Sequence, residues 1–208
     1  MPAGRVYGGL TAQERLERRR EQLLDAGLEV FARDGWHGAR VADVCRAAGL
    51  SPRSFYELFA DREALFLAVT DRLAERVLAL LRPAATAPGQ TPDERVRGVL
   101  AALAGFFADD PRAVRVALVE SCATPALRAH RARLLRSFAE VTARLMRSLH
   151  PAPERADARA LEISALVLTG GVAEALMAAA GGEPSAPAGE LVAHLAALYA
   201  AAAQVSAR

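Results

Sequence analysis

The sequence predicts an all-α protein of about nine helices, a small N-terminal three-helix unit followed by a larger helical bundle. Three observations carry that expectation. Apolar residues recur at i, i+3, i+4 and i+7 along most of the chain, and no segment alternates with period two over a useful length. Alanine, the strongest helix former, fills 48 of the 208 positions, while Ile163 is the only isoleucine. Proline and glycine gather mostly between the periodic stretches, where they end one helix and begin the next.

Residues 1–10 contain Pro2, Gly4, Gly8 and Gly9 and little that can pack, the composition of a flexible arm. Thr11 precedes a long first helix with Leu16, Leu23, Leu24, Gly27, Leu28 and Phe31 on one stripe. This helix is expected to end near Arg33, with Gly35 as the stop and Trp36 in a short connection. A second helix of barely two turns presents Val41, Val44, Cys45 and Ala48. Gly49 then suits a helix end that needs positive φ, Ser51 can cap a new helix through its hydroxyl, and Pro52 fits the first helical position. The third helix turns Phe55, Leu58 and Phe59 inward, and Asp61 can cap a fourth running from Arg62 to about Leu81 on Leu65, Phe66, Val69, Leu73, Val77 and Leu80. Pro83, Pro88, Gly89 and Pro92 mark a loop and a boundary. Five further helices follow at about 92–108, 112–121, 125–149, 155–180 and 187–205. The expected organisation is an arm over 1–10, a first domain over 11–60, a linking helix over 61–82 and a second domain over 83–208.

Composition narrows the function. All 26 basic residues are arginine, set against 24 acids, for a net charge of +2 spread evenly along the chain, so neither half is a basic tail. The two cysteines, Cys45 and Cys122, form no CxxC pair, which fits a reducing cytoplasm better than a disulfide framework. The chain reads as neither secreted nor membrane-spanning, hence cytoplasmic. The histidines and cysteines show no metal-ligand spacing, and no phosphate loop, nucleophile elbow or paired carboxylates occur. No catalytic residue, metal or cofactor is therefore expected.

Two short helices joined by so tight a turn form the helix-turn-helix arrangement, in which the second helix enters a major groove of double-stranded DNA. With Phe55, Leu58 and Phe59 inward, Pro52, Arg53, Ser54 and Tyr56 face outward beside the cap Ser51. Arg53 can reach a guanine edge with two hydrogen bonds, Ser54 a base or phosphate, and Tyr56 offers a ring ending in a hydroxyl. Arg40 and Arg62 flank this helix in sequence and are placed to hold phosphates.

The run Gly35-Trp36, then Val41 through Ser51, then Phe55 through Leu65, resembles the N-terminal domain of the TetR family of bacterial transcriptional repressors, over about residues 12–66. The resemblance implies a three-helix DNA-binding domain, a helical C-terminal domain that binds a small effector and dimerises, and release from an operator when the effector binds. It puts the recognition helix on residues 51–57, a phosphate-contacting tyrosine on Tyr56 and the basic residue opening the fourth helix on Arg62. Ala39 and Arg40 stand where the family often has Thr or Ser, and Arg53 where it commonly has a small residue. Leu58 replaces a common aromatic or histidine.

In the second domain, the helix over 155–180 is apolar on two faces, one of them Ile163, Val167, Gly170 and Met177. Mid-helix Gly170 and Gly171 suggest a close helix approach. Together with Leu191, Leu195 and Leu198 this stripe is the expected homodimer interface. Gly98, Ala101, Gly105 and Ala108 form a small-residue stripe that either admits a neighbouring helix or leaves a cavity. Leu103, Phe107, Glu120, Cys122, Phe138, Leu145 and Leu168 are the candidate effector contacts. The function expected is a homodimeric regulator, a repressor released from a near-palindromic operator by a small molecule that the sequence does not specify. The alternative is a helical ligand-binding or scaffold protein without a DNA function, for which Arg53 and Tyr56 would be incidental.

Overall fold

The computed structural model describes residues 11–149, 157–181 and 187–205. Among these there are nine α-helices and no strand: α1 Ala12–Gly38, α2 Val41–Ala48, α3 Pro52–Tyr56, α4 Arg62–Ala85, α5 Pro92–Asp109, α6 Pro111–Val114, α7 Pro125–Leu149, α8 Ala158–Ala180 and α9 Ala188–Val205. The expected arm over 1–10 lies outside the described residues. The chain divides into two compact units between Arg72 and Leu73, and α4 contributes residues to both.

In the first unit, Thr11 caps α1 by accepting from the Glu14 N–H at 3.2 Å, while the Glu14 carboxylate accepts from the Thr11 N–H at 2.6 Å. Leu23, Leu24, Leu28 and Phe31 are buried from α1, Val44 and Phe55 from α2 and α3, and Leu65, Phe66 and Val69 from α4. Gly27 marks the tightest approach, since a Cβ there would stand 3.1 Å from both Leu65 Cδ2 and Val69 Cγ2. Two expectations are corrected here. The first helix breaks at Gly35 as expected, in non-helical backbone (φ 69°, ψ 174°), but a further helical turn follows to Gly38, and the Gly35 carbonyl accepts from the Ala39 N–H at 3.1 Å. Trp36 is therefore buried rather than set in a connection, packed on the Phe31 and Phe66 rings at centroid distances of 6.2 and 5.4 Å. Leu16, expected on the inner stripe, is exposed.

The core of the second unit gathers Val77 and Leu81 of α4, Val96, Val99 and Leu100 of α5, Leu145 and Met146 of α7, Leu161, Ala165 and Val172 of α8, and Ala196 and Tyr199 of α9. Here too the sequence misleads in places. α4 runs through Pro83 to Ala85 instead of stopping near Leu81; the Thr86 hydroxyl donates to the Arg82 carbonyl at 2.9 Å at its end, and Leu80 is exposed. The helix expected over 112–121 is α6 followed by a π-helical turn, Arg115–Val119, and a 3-10 turn, Glu120–Cys122. Among the described residues, Gly170 and Gly171 have no neighbouring atom within 4 Å of an added Cβ, so the close approach expected there is not made among them. By length and composition α8 is apolar enough to cross a membrane, but Leu161, Ala165 and Val172 are buried in this helical core.

Candidate nucleic-acid interface

Four residues set the geometry between α2 and α3. Gly49 ends α2 in the left-handed region (φ 65°, ψ 29°), which glycine adopts without the Cβ clash other residues meet. Past it, the Leu50 N–H donates to the Cys45 carbonyl at 3.0 Å, closing the helix end. Ser51 then caps α3 by accepting from the Ser54 N–H at 3.2 Å, and its hydroxyl lies 3.1 Å from that of Ser54. Pro52 opens the helix, and α3 is nailed inward by Phe55, which is fully buried, and by Phe59 beyond it.

With Phe55 inward, the other side of α3 must face out. Ser51, Pro52, Arg53 and Tyr56 are exposed and Ser54 is half-buried. The Arg53 side chain is 90% exposed, and its Nε lies 3.4 Å from Glu57 Oε1. Glu57 also accepts from Arg19 Nη1 at 3.1 Å, so one carboxylate ties α1 to the end of α3 and leans Arg53 along the helix. Exposed ion pairs of this kind contribute at most about 1 kcal/mol, so the guanidinium can exchange Glu57 for a base edge or phosphate at little cost. Tyr56 is 60% exposed, with its ring edge-on to Phe55 at 5.3 Å.

The flanking arginines differ from each other. Arg40 precedes α2 in extended conformation, exposed and without a side-chain cap hydrogen bond. Arg62 turns inward: its guanidinium carbon sits 4.1 Å above the Trp36 ring, and Nη1 donates to the Ala39 carbonyl at 2.6 Å. Sequence reasoning missed this clasp, as it missed Arg19, Arg20 and Glu57. Arg20 lies over the Phe59 ring at 5.5 Å. The i, i+4 spacing of Arg53 and Glu57 was the available signal for the last of these. On α2, Arg46 pairs with Asp43 at 2.9 Å, and burial pushes the Cys45 thiol up, so it packs as a neutral side chain. Among the described residues, no group of three or more His, Cys, Asp or Glu side chains could hold a metal ion.

The turn and α3 lie within the stretch matched by a known protein family. Residues 23–69 match the family model for bacterial regulatory proteins of the tetR family. The chain carries a TetR-family DNA-binding domain. The transcriptional regulator TcmR of Streptomyces glaucescens is 32% identical over 99 residues, 47% of this chain and 42% of TcmR. The transcriptional activator FasR of Mycolicibacterium smegmatis is 36% identical over 105 residues, 50% of this chain and 46% of FasR. The chain thus spans less than half the length of these curated relatives. A TetR-like regulator from Rhodococcus sp. RHA1 superposes with a TM-score of 0.65 at 25% identity, covering 87% of this chain and 93% of that one.

Outside the TetR-family domain, the second unit holds a partly open cavity of about 90 Å³. Leu103, Phe107, Phe138 and Leu145 line it, as do Thr142 and Thr169, which the sequence did not single out, and Tyr199, which the sequence grouped with the dimer stripe of the last helix. Glu120 and Cys122 do not: the Glu120 carboxylate meets Arg115 at 3.3 Å and the Cys122 thiol donates to the Leu118 carbonyl at 3.5 Å. Leu168 packs on the core away from the cavity lining. Of the small-residue stripe, Ala101, Gly105 and Ala108 are exposed, and it is the opposite face of α5 that lines the cavity. On α8, Ile163, Leu166 and Val167 are 53%, 53% and 68% exposed, with Gly170 and Gly171 exposed beside them. Met177, Leu191 and Leu195 are half-buried and Leu198 is exposed.

Proposed function

We propose that the chain is a homodimeric, sequence-specific regulator of transcription, a repressor in the cytoplasm that a small molecule releases from a near-palindromic operator. The observation that carries the reading is the outward face of α3: Arg53 and Tyr56 stand exposed at the start of a recognition-type helix whose inner face is locked by Phe55 and Phe59. Arg53 reads a guanine edge; Tyr56 and Arg40 hold phosphates. Ser51 and Pro52 set where α3 begins, Ser54 adds a hydroxyl near the backbone, and Arg62 positions the start of α2 through Ala39 rather than reaching DNA.

Dimerisation is supported by the apolar outer stripe of α8, Ile163, Val167 and Gly170, continued by Met177 and by Leu191, Leu195 and Leu198 of α9. Large apolar side chains left in water on one helix face mark an association surface, and one patch meeting its own copy gives a two-fold dimer. An effector is supported by the cavity lined by Leu103, Phe107, Phe138 and Leu145. α4 has residues in both units and gives ligand occupancy a route to the recognition helix. Selection of DNA from a random pool by the purified protein, followed by salt titration on the enriched sequence, tests the reading. A palindrome bound with steep salt dependence is expected. Failure to enrich any sequence, before and after unfolding and refolding to strip bound ligand, would overturn it.

A further inference from the structure

We propose that the cavity of the second unit takes an uncharged, largely apolar ligand bearing one hydrogen-bond-accepting oxygen, a ketone, ester or ether, received by the one spare hydroxyl proton of the Thr142–Tyr199 pair. The inference rests on reading this unit as effector-binding and goes further by naming the ligand's chemistry. Seventeen side chains line the cavity, and every one except Thr142, Thr169 and Tyr199 is hydrocarbon. Among the described residues, no carboxylate, guanidinium or imidazole lines it. An ion entering here would leave its hydration behind with no opposite charge to replace it. Arginines do line a separate cleft nearby, Arg82, Arg95 and Arg144 with Glu140, and that cleft shares Leu81, Val141 and Leu145 with the cavity. The arginines themselves are absent from the cavity lining, and the side chains common to both are hydrocarbon.

Proton counting fixes the polar end. Thr169 donates to Thr142 at 3.2 Å, and Thr142 and Tyr199 share a bond at 3.3 Å in which either can donate. Thr70 and Thr86 instead turn their hydroxyls onto carbonyls of the preceding turn of their own helix. Among the described residues the three cavity hydroxyls bond only to one another, so three protons serve two bonds and one donor is left over. It sits on Thr142 or on Tyr199, according to the direction of the bond between them. Both are buried, and burial pushes the Tyr199 phenol up, so the ring stays a neutral donor. A buried donor lacking an acceptor is unfavourable, and a ligand oxygen at this point relieves it.

Size adds a consequence. A cavity of about 90 Å³ is smaller than the roughly 150 Å³ that admits benzene. A larger ligand that seats wholly inside must therefore move the Leu and Phe side chains of α5 and α7, and it then favours a state of the unit other than the empty one.

Calorimetric titration of the full chain with methyl octanoate, nonane, octanoate and octanoyl-CoA tests the proposal. Methyl octanoate is expected to bind at least about tenfold more tightly than octanoate at pH 7. At least one of Tyr199→Phe and Thr142→Val, the variant that removes the hydroxyl holding the spare proton, is expected to weaken the ester by about fivefold, and both are expected to leave nonane unchanged. Tyr199→Phe keeps the ring in place, and Thr142→Ser, which keeps the hydroxyl, is expected to restore ester binding if Thr142→Val disturbs folding. Octanoate or octanoyl-CoA binding as tightly as the ester would overturn the proposal, with the anion then on the arginine cleft. Ester affinity unchanged in both hydroxyl variants, or no ester binding at all, would overturn it equally. Operator selection is scored separately: enriched DNA without ester binding removes this inference alone, and ester binding without enriched DNA removes the regulatory reading alone.

Discussion

Arg53 and Arg62 carry the same charge in one small unit, yet their surroundings give them opposite work. Arg53 has only an exposed carboxylate beside it and is 90% in water, whereas Arg62 is clasped between the Trp36 ring and the Ala39 carbonyl. Arg53→Ala is expected to cost about 1 to 3 kcal/mol of operator binding and to relax preference at one base pair, read by titrating operators substituted one position at a time. Equal loss on every operator would move Arg53 to a phosphate. Tyr56→Phe is expected to weaken all operators alike, because a hydroxyl on a phosphate carries no sequence information. Arg62→Gln loses a cation–π contact and a charged hydrogen bond, and is expected to destabilise the first unit by about 1 to 3 kcal/mol in thermal unfolding. A variant with unchanged melting and weaker DNA binding would instead make Arg62 a phosphate ligand. The exposure of Arg53 was legible because α3 has one inner face, marked by Phe55 and Phe59. The clasp on Arg62 was not, since it depends on the kink at Gly35 that brings Trp36 inward, and no local spacing encodes that contact.

At the scale of elements, the turn between α2 and α3 was legible because each of its residues has a local reason to be there. Gly49 is needed for its positive φ alone, since an added Cβ would have open space around it. Gly49→Ala is therefore expected to cost about 1 to 2 kcal/mol of stability, the left-handed penalty, with no packing term. Gly27 is the reverse case: its φ is helical, and a Cβ would press on Leu65 and Val69 at 3.1 Å. Gly27→Ala gains helix propensity and loses packing between α1 and α4. Where tertiary packing overrides local chemistry, sequence reading failed. Pro83 ends a helix by local rules, but α4 carries it through to Ala85 because Val77 and Leu81 are already fixed in the core. The π-helical turn after α6 leaves no sequence mark either, because its apolar run Val114, Val116 and Leu118 suits an ordinary helix as well. The cavity hydroxyls were not read as a pocket for a related reason: Thr142, Thr169 and Tyr199 lie on three different helices and meet only once the bundle is packed.

For the whole molecule, the proposed dimeric regulator depends on two recognition helices being presented together. One short helix contacts few bases, so most of the affinity for a palindrome comes from joining two half-sites, which makes the second contact intramolecular. The face proposed to join the copies is the outer stripe of α8, and its most exposed member is Val167 at 68%. Because Val167 touches so little of its own chain, Val167→Glu is expected to leave helix content and the fold of the single chain intact. A carboxylate at the centre of an apolar two-fold interface meets its own copy, and two like charges withdrawn from water strongly oppose association. Light scattering is expected to report a monomer for Val167→Glu and a dimer for the unchanged chain. Operator affinity is expected to fall by at least about 100-fold, with a single half-site bound as weakly as before. The comparison of half-site with full palindrome separates the alternatives. A variant that stays dimeric and keeps palindrome affinity would place the interface on another face of the second unit. A variant that becomes monomeric yet keeps full affinity would show that the two recognition helices bind independently, and the requirement for a palindrome would fall with it.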